Sequence, residues 1–264
     1  MSADTAYQHA KNNRSVQLTQ AILRRALARA EKWELVSRNV ASLVDSPTQY
    51  HKEFHLLEPA ETQRLMDKLR DERLWALYFL ALTLGLRSGE LRGLRWTDVD
   101  LDAGQLQVQQ TVQRIEGTLQ AKSPKTEKSR RRLPLPAVTC EALKQHRRRQ
   151  ELEREFAGER WTESGLVFTT TIGTPLDASN ATHQFQKALA RHGFPRMRLH
   201  DLRHACASYL VSNGVELRIL MEILGHSQIS LTANLYSHVL PLTSAIALSK
   251  MDDLFRMPES LPAQ

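Results

Sequence analysis

A chain of 264 residues, 41% of them hydrophobic, is long enough to bury one substantial core or to build two domains. Its net charge of +7 and pI near 9.6 favour a polyanionic partner, with nucleic acid the first candidate. The N-terminal MSADTAYQHAKNNRS lacks the apolar stretch of a secretory signal, the longest apolar run (Leu74 to Leu86, interrupted by Thr83) is too short to span a bilayer, and Cys140 and Cys206 match no metal-ligand spacing and imply no disulfide, so the expected setting is a reducing cytoplasm with no membrane partner.

Residues 15 to 36 place Ile22, Leu23, Ala26, Leu27 and Ala30 on one helical stripe, with Arg24, Arg25 and Arg29 elsewhere around the axis, which predicts an amphipathic helix with basic flanks. From Asp45 to Pro59 the segment DSPTQYHKEFHLLEP has two prolines, mixed polarity and no clear period, the composition of an interdomain linker. Pro59 suits the first turn of a helix that continues through Leu65, Met66 and Leu69. A buried helix is expected from about Glu72 to Leu84, ended by Gly85. Residues 104 to 136 change period: alternation at Leu106, Val108 and Gln110, a Glu-Gly turn and two further short strands predict a small antiparallel sheet. Its second connection, Lys122 to Arg132, holds six basic residues and one acid. Residues 137 to 160 read as a highly charged helix with a solvated face, GLVFTTTIGTPLD as a strand and turn, and ASNATHQFQKALARHGF as a helix ending at Gly193. Near the end, Ile246, Leu248, Met251, Leu254 and Phe255 recur at helical spacing. The fold class is α+β, mainly helical.

The chemistry concentrates between Arg198 and His238. His200 and Arg203 are three residues apart and share a helix face; His226 follows a Leu-Gly turn, and Tyr236 comes ten residues later. Three cation-capable groups and a phenol suggest a phosphate substrate. A competing reading takes His200 and His204 as zinc ligands one turn apart, as in the H-E-x-x-H pattern. Against it, the second residue is Asp201, a methylene shorter than the required base, and spacing singles out no third ligand. Further upstream, Arg87 and Glu90 stand at i, i+3. A guanidinium there offers a planar fork for two nonbridging phosphate oxygens, with Glu90 to orient its neighbours; the alternative is a surface Arg-Glu pair of almost no energetic weight.

The order HDLRH, then LGH, then NLYSHV resembles the second half of the tyrosine recombinase (phage integrase) signature, and LTLGLRSGELRGLRWTDVDLD resembles its first half, with Arg87 as the first arginine. The resemblance runs from residue 55 to 255, and Thr19 to Pro47 resembles the closing helices of the family's core-binding domain; the opening helices of that domain have no counterpart in this stretch. It implies a partial helical core-binding (SAM-like) domain with linker over residues 1–53, and over 54–264 a mainly helical catalytic domain with a small antiparallel sheet. The activity implied is site-specific DNA recombination through a 3′-phosphotyrosyl intermediate. The catalytic set is Arg87, Lys125, His200, Arg203, His226 and the nucleophile Tyr236, supported by Glu90. Lys125 matches the hairpin lysine that enters the minor groove and reaches the leaving oxygen, with Lys122 the competing assignment on the same segment. Lys122, Arg130 and Arg131 are the expected DNA-binding residues. The implied partners are double-stranded DNA and a homo-tetramer formed on it through the C-terminal tail; no metal and no cofactor are implied. Two alternatives share parts of this reading: a type IB topoisomerase relaxing DNA as a monomer, and a catalytically silent DNA-binding regulator.

Overall fold

Residues 3–47, 57–123 and 130–225 are described by the computed structural model, and the chain divides between His55 and Leu56 into two units. Lys125, His226, Tyr236 and the expected tail helix lie outside the described residues.

The first unit is built on helix α1 (Ala3–Lys32). It begins well before the apolar stripe, in a segment of good helix formers such as Ala, Gln and Lys. Its C-terminal end carries Arg29 and Lys32, which complement the helix dipole, and closes with Glu34 at φ 59° and a bond from the Leu35 N–H to the Ala30 carbonyl (2.9 Å). The chain then doubles back through a 3-10 turn, Val40–Leu43. Arg24 holds that return, donating from Nε to the Ala41 carbonyl (2.8 Å) and from Nη2 to the Val44 carbonyl (2.7 Å), while Asn39 donates to the Arg24 carbonyl (2.8 Å). Ile22 and Leu23 of the predicted stripe are exposed; among the described residues, polar bonds tie the return to the helix.

The second unit is organised around α3 (Trp75–Thr83), whose sequence WALYFLALT is apolar on all sides and is buried accordingly. It follows α2 (Pro59–Lys68) and packs against α5 (Ala137–Ala157) and α7 (Leu199–Ser212). The Tyr78 ring of α3 lies 4.8 Å from Phe185 of α6 (Ala178–Arg191). The last described helix is α8 (Leu217–Leu224), which packs on α7 through a separate small cluster of Ala207, Val211, Leu220 and Leu224.

The expected single sheet is instead two. Strands β1 (Val99–Asp100), β2 (Gln105–Val108) and β5 (Arg131–Pro134) pair antiparallel in the order β1-β2-β5, and β3 (Thr111–Ile115) with β4 (Thr118–Lys122) forms a hairpin apart from them. The Glu-Gly turn is where it was expected, with Glu116 at φ 48° and Gly117 at φ 82°, both positive as a type I′ turn requires. The hairpin leaves the first sheet because it is drawn onto α4 (Ser88–Gly93). Gln110 donates to the Gly93 carbonyl (2.9 Å), and a Cβ at Gly93 would sit only 3.0 Å from the Gln110 carbonyl oxygen. The strand expected within residues 165–177 is reduced to isolated bridges, Arg95 with Leu166 and Thr169 with Pro175. Among the described residues, no helix is long and apolar enough to cross a membrane.

Leu77 is fully buried on α3, whereas Leu152 on α5 is 66% exposed. Leu77→Ala is therefore expected to lower the unfolding free energy by about 2–5 kcal/mol, and Leu152→Ala by no more than about 0.5 kcal/mol. Urea unfolding of the two variants checks this; comparable losses would show that α3 is not the core element.

Candidate active site

Two short sequences, R-x-x-E and R-x-x-D, set the starts of the two helices that carry the candidate residues. Arg87 precedes the first residue of α4, its backbone N–H donating to Glu90 Oε2 (2.8 Å) and its Nη1 to Glu90 Oε1 (3.0 Å). Arg198 precedes α7 in the same way, with its N–H on Asp201 Oδ2 (2.8 Å) and Nε on Oδ1 (3.0 Å). In each case an acid on the third helical residue reaches back to satisfy an N–H that the helix leaves unpaired. The arrangement differs from a surface ion pair because Glu90 is only 3% exposed. Asp201, the base that the zinc reading needs, is committed to Arg198.

The candidate cations meet at the C-terminal end of α8. Arg131 Nε donates to the Ile223 carbonyl (2.6 Å), Arg203 Nη2 to the Leu224 carbonyl (2.8 Å) and Arg87 Nη2 to the Gly225 carbonyl (2.9 Å). Three successive carbonyls that the helix itself cannot satisfy are thus each taken by a different arginine, at the end where the helix dipole is negative. Arg203 also donates to the Gly85 carbonyl, which brings the loop before Arg87 onto α7. Gly225 makes this junction possible: it sits at φ 64°, and a Cβ there would lie 2.7 Å from Arg131 Nη1.

Glu90 binds the cluster together. Arg131 grips it with both nitrogens of its fork, Nη1 to Oε1 (3.1 Å) and Nη2 to Oε2 (3.0 Å). Burial pushes the Glu90 carboxyl up, but the hydrogen bonds and charge of Arg131, joined by Arg87, more than offset it and hold the carboxyl below its ordinary value. His200 stands one turn before Arg203 on α7, its ring edge-on to His204 at 4.7 Å between centroids. Partial desolvation, then the nearby charges of His204 and Arg203, lower His200 from 6.5 to about 4; His204 is lowered as well, again chiefly by desolvation. Among the described residues, no group of three or more His, Cys, Asp or Glu is arranged to hold a metal ion.

Of the predicted site residues, Arg87, Glu90 and Arg203 come together at the end of α8, and His200 lies one turn away on α7. His226, which follows Gly225 directly, Tyr236 and Lys125 are outside the described residues. The expected DNA-binding residues separate. Lys122 and Arg130 are exposed, but the Arg131 side chain is 7% exposed and bonded to protein groups. The reason is strand parity: β5 pairs with β2 with Arg131 opposite Val108, so Arg131 and Leu133 face inward while Arg132 and Pro134 face out.

The sequence profile of the phage integrase family matches residues 55–242. The chain belongs to that family. A protein named tyrosine recombinase XerC-like, from Caldanaerobacter subterraneus subsp. tengcongensis, is 39% identical over 215 residues, 77% of this chain and 55% of that protein. An integrase of Streptomyces ambofaciens is 33% identical over 262 residues, 93% of this chain and 65% of the relative. The chain thus spans between half and two thirds of the length of these relatives. Among solved structures, the Tn1549 transposon integrase in complex with a circular intermediate DNA superposes with a TM-score of 0.74 at 21% identity, covering 84% of this chain and 74% of that one. A lambda integrase dimer bound to a COC′ core site gives 0.58 at 17%, covering 98% of this chain and 65% of that one. At these identities the likeness establishes the fold, which is the mainly helical α+β fold of tyrosine recombinases.

In this member of the phage integrase family the lowered His200 makes a prediction about acid stability. A folded-state value of about 4, below the ordinary 6.5, means that the native state favours the neutral ring. That stabilisation is fully present above about pH 6.5 and is lost as pH falls through about 4. His200→Asn should therefore lose less stability than the parent between these limits, as read from thermal midpoints across pH. Identical pH slopes would show that the ring is not held neutral.

Proposed function

We propose that the chain cleaves and rejoins double-stranded DNA at specific sites through a 3′-phosphotyrosyl intermediate. The observation that carries this reading is the convergence of Arg87 and Arg203 on the adjacent carbonyls of Gly225 and Leu224, immediately before His226. Two guanidiniums far apart in sequence share one helix end, next to the position where the signature has its second histidine.

In this reading the Tyr236 oxygen attacks the scissile phosphorus, the bond to the 5′-oxygen breaks, and the 5′-hydroxyl leaves while the phosphate remains on tyrosine. One phosphate ester replaces another, so the step needs no external energy source, and rejoining is its reverse. Arg87, Arg203 and His226 stabilise the charge that builds on the nonbridging oxygens; losing one such donor typically costs about 10²–10³ in rate. A phenol of pKa about 10 needs a proton acceptor, and His200, neutral in the free protein, takes that role. A ring lowered to about 4 is a weak base, and the approach of an anionic phosphate raises it again. Lys125 protonates the departing 5′-oxygen. Glu90 orients Arg87, while Lys122 and Arg130 contact the duplex. Residues 1–53 serve as part of a core-binding domain and the remainder as the catalytic domain. Assembly is a tetramer on DNA joined by the C-terminal tail, acting in the cytoplasm without metal or cofactor.

The test is covalent trapping from a pool of nicked duplexes of randomised sequence, followed by sequencing of the joined DNA. Enrichment of one sequence is expected; the absence of any protease-sensitive adduct would refute the proposal. On the enriched duplex, Tyr236→Phe should bind within about twofold of the parent and give no adduct, because only the hydroxyl oxygen is lost. Persistent adduct would move the nucleophile to another residue.

The general acid has its own test. Replacing the bridging 5′-oxygen by sulfur should restore cleavage to Lys125→Ala, since a thiolate leaves without protonation, and should not restore Arg203→Ala. Rescue of Lys122→Ala instead would place the acid at Lys122.

A further inference from the structure

We infer that Arg131 is a positioning residue of this site and not a DNA contact: it locks the start of β5 onto Glu90 and onto the end of α8, and so fixes the helix end on which Arg87 and Arg203 rest. What the site does with DNA rests on the recombinase reading above, but the lock is a matter of geometry alone.

The contacts close a ring. Arg131 holds both oxygens of Glu90 and the Ile223 carbonyl; Arg87 holds the same carboxylate and the Gly225 carbonyl two residues further on. The two arginines therefore bridge one buried acid and one helix terminus, and neither can shift without breaking a bond to one or the other. Arg131 is also the first residue of β5, where the chain returns from the basic connection after Lys122. Each feature suits an arginine in particular. The fork makes a two-point contact with a carboxylate while Nε remains directed at a third acceptor, a geometry that a lysine ammonium cannot reproduce. The side chain is 7% exposed, and the only residue without a Cβ occupies the space against it at Gly225, so no room is left for a phosphate at Nη1.

The experiment uses the whole 264-residue chain with Arg131→Lys, Arg131→Gln and, should the single Gln variant fail to fold around an under-paired Glu90, the double variant E90Q/R131Q. Hydrogen exchange of the amides from Leu217 to Gly225 reads the lock directly. Exchange there should rise about tenfold in Arg131→Lys while α3 keeps its parent protection, and unchanged exchange would overturn the proposal. The salt dependence of duplex affinity separates positioning from contact. A lost phosphate contact lowers the slope of log affinity against log salt by about 0.9; Arg131→Gln, or the double variant, should leave the slope within error of the parent, and a drop of that size would overturn the proposal. At saturating duplex, adduct formation by Arg131→Lys should fall by about 100-fold, the cost of a misplaced reacting group, with affinity unchanged. Full adduct rate would overturn the positioning role. If the parent itself forms no adduct on any duplex, the recombinase reading fails, and the exchange and salt measurements still decide whether Arg131 is a lock or a contact.

Discussion

Taking a carboxylate out of water costs several kcal/mol even after the protein around it relaxes, and Glu90 is almost wholly buried. Its surroundings are arranged to meet that cost. Its two oxygens accept from the Arg87 backbone, the Arg87 guanidinium and both arms of the Arg131 fork. With either guanidinium absent the acid would be short of donors in a place water does not reach, so the anion dictates where both cations stand. The position of the phosphate-binding candidate Arg87 is in this sense set from beneath, by a residue that need never touch substrate.

The same logic explains how three arginines can gather at one helix end. Like charges at close range repel strongly in a medium less polarisable than water, yet Arg87, Arg131 and Arg203 all donate to consecutive carbonyls of one helix end. Glu90 offsets one charge, and the helix terminus contributes roughly −0.5; both reduce the repulsion among the guanidiniums. Compensation of this kind by protein groups lets the guanidiniums stand close together at one helix end.

Much of this was readable from residues alone, and what was not has a physical cause in each case. The type I′ turn at Glu116-Gly117, the buried helix near Trp75 to Thr83 and the helix ending before Gly193 follow from local propensity and period, which a sequence displays. The inward direction of Arg131 does not. A strand residue changes face with a shift of one position, and its parity here is fixed by the pairing of β5 with β2, a non-local fact. In a run of basic residues with no apolar alternation, the inward arginine looks like its exposed neighbours Arg130 and Arg132. The signal that existed was Leu133, two residues on, an apolar residue sharing the face of Arg131. The strand expected at residues 165–177 failed for a related reason: its apolar run, Leu166 to Phe168, is buried, but burial is achieved by single bridges without a ladder. On α1 the apolar stripe was legible, whereas the exposure of Ile22 and Leu23 was not.

Among the described residues, the α8 terminus is held mainly by distant partners. A helix of eight residues is too short to persist in water by itself, and its apolar residues pack into a cluster separate from the main core. Its order depends on α7 and on bonds from residues 138 and 92 positions away in sequence. Bonds between such distant partners form only after the chain between them has closed. Leu224 wedges against Gly85 so tightly that a Cβ there would lie 2.5 Å from its Cδ2, and Gly85 in turn supplies a carbonyl to Arg203. The same contacts that hold α8 in place therefore hold the arginines: loosening the helix end disperses the cations, and fixing the cations orders the helix end. An anion that binds the cluster gains from both.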